Sequence, residues 1–203
     1  MVSSLGVSRG LVVVVCAPSG AGKTSICKKL VSECADVVFS ISATTRSPRG
    51  VEKHGQEYFF MSKEEFSRAS SAGEFLEQSF VFGNFYGTPK ASVERYIECG
   101  MDVVLDVDCD GARQISSAYP SDSVTIYIFP PSIEELANRL VSRNENSADE
   151  IERRLKDAEL CVANLSLFDY IVVNDNLQKA YEDVKSIIRA EKLKTSRREL
   201  SSY

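Results

Sequence analysis

A stretch with almost no side chains joins an apolar run to a helical pattern near the start of the chain. Residues 12–16 form a continuous, mostly β-branched run, which is typical of the central strand in a parallel sheet covered on both faces. The next segment, 17–24, reads Ala-Pro-Ser-Gly-Ala-Gly-Lys-Thr, close to the phosphate-binding pattern G-x-x-x-x-G-K-[ST] with Ala17 in the first glycine position. Gly20 and Gly22 allow successive backbone N–H groups to point into one concavity, at the positive end of the following helix.

The last two residues of this segment carry the polar chemistry. Lys23 can reach the β- and γ-phosphates of a nucleotide, and the Thr24 hydroxyl can ligate Mg²⁺. The alternative is a glycine-rich turn with an incidental lysine, but the strand before it and the helical pattern at 26–31 favour a polyphosphate site.

A second apolar run supports this site with a carboxylate. Residues 101–105 are apolar except for Asp102, and the run ends in Asp106-Val107-Asp108. An acid at the carboxyl end of a strand can hold Mg²⁺ or its water shell, and ligands of open α/β sheets bind at those strand ends. We expect Asp106 to act on the metal through water, although either aspartate alone could be a solvated loop residue.

The segment between these two runs has a different character. It carries Arg46 and Arg49 close together, an alternating stretch at 57–60 that predicts a short strand, and a Gly83-Asn84 turn that predicts another. The pattern indicates a small β-rich insertion that presents arginines.

These pieces together resemble the guanylate kinase family over about residues 9–192. The resemblance rests on APSGAGKTS, SATTRSPRGVEKHGQEYFF, GEFLE, GNFYGTP, VVLDVDCDGAR, IFPPSIEELANRL and YIVVND. It implies an α/β fold of the P-loop NTPase type, with a parallel sheet, helices on both faces, a small β-rich GMP-binding domain and a helical lid. The implied ranges are 1–39, 91–130 and 159–203 for the core, 40–90 for the GMP-binding domain and 131–158 for the lid.

The implied reaction is phosphorylation of GMP and dGMP by ATP with Mg²⁺. The resemblance implies that Lys23, Arg143 and Arg154 are catalytic, with the two arginines in the lid. The implied ATP-binding residues are Ala17, Pro18, Ser19, Gly20, Ala21, Gly22, Lys23, Thr24, Ser25, Arg139 and Asn174. The implied metal contacts are Thr24 and, through water, Asp106. Arg139 could also be an ordinary charge on a helix face.

The same resemblance implies how GMP is recognised. Its GMP-binding residues are Ser42, Arg46, Arg49, Tyr58, Glu77, Tyr86, Gly87, Thr88 and Asp108. Guanidinium forks and phenol donors suit a doubly charged phosphate, and two acceptor-only carboxylates suit the two donors on one edge of guanine. Each of these residues also has a simpler interpretation when it is taken alone. The two arginines could be a solvated charge pair, Glu77 could cap a helix, and the two tyrosines could be packing residues.

Two positions depart from the family pattern. Asn144 stands where the family usually has glycine after the first lid arginine, and Asn tolerates the left-handed region better than most residues. Cys109-Asp110 stands where the family often has Trp-Gln, which puts the local packing in doubt.

The composition argues against some classes of function, and one alternative function remains. The net charge of −5 shows no basic footprint for nucleic acid, and six cysteines without a CxxC pair plus the single His54 argue against structural zinc. We expect reduced, mostly buried thiols in a cytoplasmic protein, a monomer or homodimer that binds no membrane. The rival is a guanylate-kinase-like module that binds phosphopeptides without catalysis, for which Lys23, Arg143 and Arg154 would have no use. A kinase for another monophosphate is disfavoured by Glu77 and Asp108.

Overall fold

The computed structural model describes residues 9–81, 83–142, 148–162 and 165–197. The strands are β1 (Val12–Cys16), β2 (Val37–Phe39), β3 (Ala43–Thr44), β4 (Phe59–Phe60), β5 (Phe75–Val81), β6 (Asn84–Pro89), β7 (Asp102–Asp106), β8 (Ser123–Phe129) and β9 (Tyr170–Val173). The helices are α1 (Lys23–Glu33), α2 (Lys63–Ser71), α3 (Lys90–Glu98), α4 (Cys109–Ala118), α5 (Ile133–Ser142), α6 (Ala148–Val162) and α7 (Leu177–Lys192). One 3₁₀ turn lies between α6 and β9, at Leu165–Leu167, and another follows α7, at Thr195–Arg197.

The larger sheet is parallel and has the order β2-β7-β1-β8-β9. Its central strand is β1, as its uninterrupted apolar sequence predicts. Val13 and Val15 belong to an apolar cluster with α1 and α7, whereas Val12, Val14 and Cys16 belong to a second cluster with α3 and α4. The two faces of β1 are therefore both buried, and the predicted fold class is confirmed.

The smaller sheet has the order β4-β3-β6-β5 and takes all its strands from the range 40–90. The ring of Phe66 on α2 packs between Phe75 and Phe85, with centroid separations of 4.5 and 5.4 Å. The strand predicted at 57–60 is shorter, Phe59–Phe60. Assignment of this unit to GMP binding stays a prediction.

Helices α5 and α6 pack against each other through Leu136, Leu140 and Ala158. The Ser132 hydroxyl accepts a 3.0 Å hydrogen bond from the Glu135 N–H and so caps the start of α5. Helix α6 continues to Val162, beyond the predicted lid boundary at 158. The predicted catalytic Arg143 and the neighbouring Asn144 lie outside the described residues.

The expectation of mostly buried cysteines is wrong for the side chains that the structure describes. Cys16 and Cys27 are buried, but Cys34 and Cys109 are only half-buried and Cys99 is exposed; none of these five forms a disulfide. Cys99 is exposed because it follows the last residue of α3, where the chain leaves the core. Within the described ranges, no helix has the length and apolar character needed to cross a bilayer.

Candidate active site

The glycine-rich loop between β1 and α1 is fixed by its backbone. Gly20 and Gly22 have φ values of 97° and 93°, in the left-handed region that favours glycine. The Ala21 N–H donates a 3.1 Å hydrogen bond to the Pro18 carbonyl, and Gly22 is the N-cap of α1. The predicted loop contacts Ser19, Thr24 and Ser25 are exposed residues.

Asn174 holds this loop from the other side. Its Nδ2 donates a 2.7 Å hydrogen bond to the Ala21 carbonyl, and a Cβ added to Gly22 would lie 2.2 Å from the same nitrogen. Arg139 in turn donates to the Asn174 carbonyl at 3.2 Å and to Glu135 at 2.9 Å. The structure thus places Asn174 against the loop and Arg139 against Asn174, and the contact of either residue with ATP stays a prediction.

Lys23 and Asp106 form an ion pair at the carboxyl ends of β1 and β7. Burial alone would lower the pKa of Lys23, but the Asp106 charge, the hydrogen bond to Asp106 and the nearby Cys16 and Cys27 together outweigh burial, and the net pKa is raised. The lysine is therefore cationic at neutral pH. Both predicted metal contacts lie at this end of the sheet, since Thr24 directly follows Lys23 on α1.

Arg46 is fixed by a residue that the sequence did not single out. Its Nη1 and Nη2 each donate to one oxygen of Glu52 at 3.0 Å, a bidentate pair that raises the pKa of the guanidinium. The guanidinium also lies 5.2 Å from the centroid of the Tyr58 ring. Glu52 accepts a further 2.7 Å bond from the Arg49 N–H, while the Arg49 side chain is exposed.

Glu77 is a buried acid on β5, only 4% exposed. The Thr88 hydroxyl donates a 2.6 Å hydrogen bond to its Oε1. Burial raises the pKa of the Glu77 carboxyl to about 7, with a further contribution from the Asp108 charge, and the Thr88 bond opposes this rise. A Cβ added to Gly111 would lie 3.0 Å from Glu77 Oε2, so the carboxylate sits directly against α4.

Asp108 is the N-cap of α4, where its Oδ1 accepts a 2.7 Å bond from the Gly111 N–H. Gln114, further along α4, holds this helix against β5, and this contact positions Asp108 beside Glu77. The Gln114 side chain accepts from the Gln78 N–H and donates to the Gln78 carbonyl, both at 3.2 Å.

One cleft brings the predicted donor and acceptor groups together. Its predicted lining residues are Ala17, Lys23, Ser42, Tyr58, Glu77, Tyr86, Asp106 and Asp108. It is also lined by Phe39, Glu57, Ser79, Val81 and Val107, which the sequence did not single out. Arg46, Arg49, Gly87 and Thr88 are not part of this lining; Thr88 reaches it through Glu77, and Arg46 packs on Tyr58.

The predicted lid arginine in the described part of the chain already contacts the glycine-rich loop. Arg154 on α6 donates to the Ser19 hydroxyl and, at 2.9 Å, to Glu150 one turn earlier on the same helix. Helix α5 also lies near the loop, since a Cβ added to Gly20 would meet the Leu136 and Leu140 side chains at 3.2 and 3.3 Å.

Three residues that position the site escaped the sequence reasoning. Glu52 had a usable signal, because an acid three residues after Arg49 is a candidate counter-ion for an arginine pair. Glu150 also had one, because it lies four residues before Arg154, the spacing of an ion pair on one helix face. Gln114 had none, since its partner Gln78 is 36 residues away.

A parallel sheet with a glycine-rich phosphate loop at the end of its central strand defines a nucleotide-binding protein of the P-loop class. The guanylate kinase family profile matches residues 9–191, and the chain belongs to this family. It is thus a transferase that phosphorylates GMP with ATP.

Comparison with individual relatives supports membership of the same family. A guanylate kinase of Hahella chejuensis is 46% identical over 189 residues, covering 93% of this chain and 90% of the relative. The guanylate kinase of Symbiobacterium thermophilum is 44% identical over 189 residues, which cover 93% of this chain and 89% of the relative. The crystal structure of guanylate kinase from Anaplasma phagocytophilum matches with a TM-score of 0.78 at 34% identity, covering 94% of this chain and 90% of that one.

Proposed function

We propose that this chain transfers the γ-phosphoryl group of ATP to GMP or dGMP, that Mg²⁺ is required, and that the α5–α6 unit closes over the donor. The single observation that carries the proposal is the shared cleft, which is lined by Lys23 and Asp106 on one side and by Glu77 and Asp108 on the other.

The acceptor phosphate binds between Arg46, Arg49, Tyr58 and Tyr86. Glu52 occupies the guanidinium fork of Arg46 with the two-oxygen geometry that a phosphate would use. Glu52 therefore keeps Arg46 oriented until GMP arrives, and the phosphate then takes over some of its hydrogen bonds.

Guanine binds against the two carboxylates. Glu77 and Asp108 accept from N1–H and the exocyclic amine, and the hydroxyls of Ser42 and Thr88 with the Gly87 backbone complete the base site. Adenine would leave the buried Glu77 acceptor without a donor, a mismatch of the kind that gives roughly 10⁴-fold discrimination. Since the proposed contacts go to the base and the phosphate, removal of the ribose 2′-hydroxyl leaves them intact, and dGMP is a substrate.

The donor triphosphate lies along the backbone N–H groups of 17–24. Lys23 exchanges its bond with Asp106 for the β- and γ-phosphates, which leaves the carboxylate available to the metal. The exposed Thr24 hydroxyl and the Asp106 oxygens fit Mg²⁺, which prefers a few protein oxygens beside phosphate and water. When bound, Mg²⁺ supplies charge neutralisation to the phosphates.

An oxygen of the GMP phosphate attacks the γ-phosphorus in line, and the bond to the bridging oxygen of ADP breaks. No enzyme nucleophile is needed, because the acceptor phosphate is already anionic. Arg139, Arg143 and Arg154 neutralise the charge on the transferred group when the lid closes. The present contact of Arg154 with Ser19 supports a position near the γ-phosphate.

We further propose that the chain works in the cytoplasm as a monomer or homodimer, without nucleic-acid or membrane partners. The net charge of −5 and the absence of disulfides among the five described cysteines support this setting.

The test is a coupled ADP-release assay with GMP, dGMP, AMP, CMP and UMP, each with Mg²⁺ or EDTA. We expect turnover confined to the guanine nucleotides and lost in EDTA. Equal rates with all bases would contradict selection by the two carboxylates, and undiminished turnover in EDTA would contradict the metal requirement.

A further inference from the structure

Two cysteines meet at the junction between the donor and acceptor sites. The Sγ atoms of Cys16 and Cys109 lie 3.6 Å apart, although the residues are separated by 93 positions in the sequence. Cys16 is the last residue of β1 and Cys109 is the first residue of α4. Both side chains belong to the apolar cluster on the α3 and α4 face of the sheet.

We propose that Cys16 and Cys109 are an oxidative modification site: a low-molecular-weight disulfide converts them to a reversible intramolecular disulfide that lowers phosphoryl transfer. Cys27 lies in the other cluster, on the opposite face of the sheet. Cys99 is exposed after α3. Among the five cysteines whose side chains the structure describes, the 16–109 pair is the one sulfur–sulfur contact found.

The chemistry balances with oxidised glutathione as the oxidant. Cys109 is the more accessible of the pair, so its thiolate attacks one glutathione sulfur, which forms a mixed disulfide and releases one glutathione thiolate that takes up a proton. The Cys16 thiolate then attacks the Cys109 sulfur and releases the second glutathione. Two thiols lose two electrons and two protons, and one glutathione disulfide becomes two glutathione molecules.

The position of the bridge explains its effect. Disulfide sulfurs lie about 2 Å apart, so the two sulfurs must approach each other and draw the end of β1 toward the start of α4. Ala17 of the phosphate loop directly follows one cysteine, and Asp108, proposed to bind guanine, directly precedes the other. A displacement of about 1 Å in such groups can lower a rate roughly 10²-fold, so we expect at least a tenfold loss of turnover.

The experiment incubates the reduced full-length protein with oxidised glutathione, alkylates the remaining thiols, and digests without reductant. We expect a linked peptide pair containing Cys16 and Cys109, a parallel loss of turnover, and recovery of both on adding dithiothreitol. Recovery of both cysteines in alkylated form, or a linked pair with undiminished turnover, overturns the proposal.

Variants separate the bridge from other oxidation. Cys109→Ser should keep basal turnover and resist inactivation, and Cys16→Ala should retain glutathione on Cys109 because the second step is blocked. Cys99→Ser, which changes an exposed thiol outside the pair, should behave like the unmodified chain. Inactivation that persists in Cys109→Ser overturns the proposal. The bridge is detected by mass, independently of turnover, and turnover of the reduced protein with GMP tests the proposed function separately.

Discussion

The phosphate loop and the guanine-facing surface, as we name the surface proposed to bind guanine, are built in opposite ways. The loop is one continuous segment, 17–24, whose shape comes from two glycines in the left-handed region and whose donors are backbone N–H groups. The guanine-facing surface takes single side chains from separate elements, with Glu77 on β5, Thr88 on β6 and Asp108 at the start of α4. The loop therefore depends on local conformation, whereas the acceptor surface depends on how α4 packs against β5.

The largest effect should come from the loop. Lys23→Ala should lower kcat by roughly 10³-fold, because it removes the positive charge beside the transferred phosphoryl group, while GMP affinity stays nearly unchanged. Steady-state rates and calorimetric GMP titration measure the two effects. Lys28→Ala, an exposed lysine on the same helix, is the matched control and should retain activity. Loss of GMP affinity in Lys23→Ala would show that the two subsites are assigned wrongly.

The next largest effect should come from the acceptor surface. Glu77→Gln should lower kcat/KM for GMP roughly 10²-fold, because an amide N–H would face the donors of guanine, and it should narrow the preference for GMP over AMP. The Thr88 hydroxyl can still donate to the amide oxygen, so the fold is retained. Glu74→Gln, an exposed acid close by in sequence, should change nothing. An unchanged ratio of GMP to AMP turnover would refute base selection by Glu77.

The pH dependence should distinguish the two surfaces. Because the pKa of Glu77 is raised to about 7, GMP affinity should rise about tenfold from pH 6 to pH 8 as the carboxylate forms. Glu77→Gln should retain only the smaller change that comes from the phosphate of GMP itself. Calorimetric titration at each pH measures this, and an equally steep profile in the variant would contradict it.

The same shift has a signed effect on stability. The pKa of Glu77 in the folded state lies above its ordinary value, so the folded state binds the proton more tightly than the unfolded state does. Protonation of Glu77 therefore contributes to the free energy of unfolding below about pH 4.5, and this contribution is lost as the pH rises through about 7. Glu77→Gln should therefore unfold at a higher temperature than the parent chain at pH 8, with the difference shrinking toward pH 5. Thermal unfolding followed by circular dichroism gives the comparison.

The smallest effect should come from the contact that joins α4 to β5. Gln114→Ala removes two hydrogen bonds to the Gln78 backbone, each contributing about 1 kcal/mol, and should raise KM for GMP several-fold while KM for ATP stays constant. Gln178→Ala on α7 is the control. Equal changes in both KM values would indicate general destabilisation and would count against a positioning role.

Local patterns predicted the elements better than the side-chain partners. The strand at 12–16 has the predicted bounds, because a buried parallel strand needs an unbroken apolar run. Val31, the last residue of the helical pattern at 26–31, is 36% exposed, since the helix buries only Ile26, Cys27 and Leu30. The periodicity of apolar residues does not determine how much of the surface of a helix is buried.

The candidate site shows the same limit. The phosphate loop could be interpreted from residues 17–24 alone, but the acceptor residues required the family resemblance, since Glu77 and Asp108 come together only when β5 packs on α4. Single-residue patterns also gave no indication that Gln114 binds the Gln78 backbone or that Arg154 reaches Ser19. Such pairings depend on tertiary packing, which spacing in the sequence does not encode.

The contact between Asn174 and the loop limits which substitutions position 22 can tolerate. An alanine at Gly22 would be strained by its left-handed backbone and would also collide with the Asn174 amide. Shortening Asn174 would remove the collision but not the strain, and would leave the Ala21 carbonyl without its donor. In a mutational library, second-site rescue of Gly22 through position 174 would therefore be incomplete, so these two residues, separated by most of the chain, constrain each other's evolution.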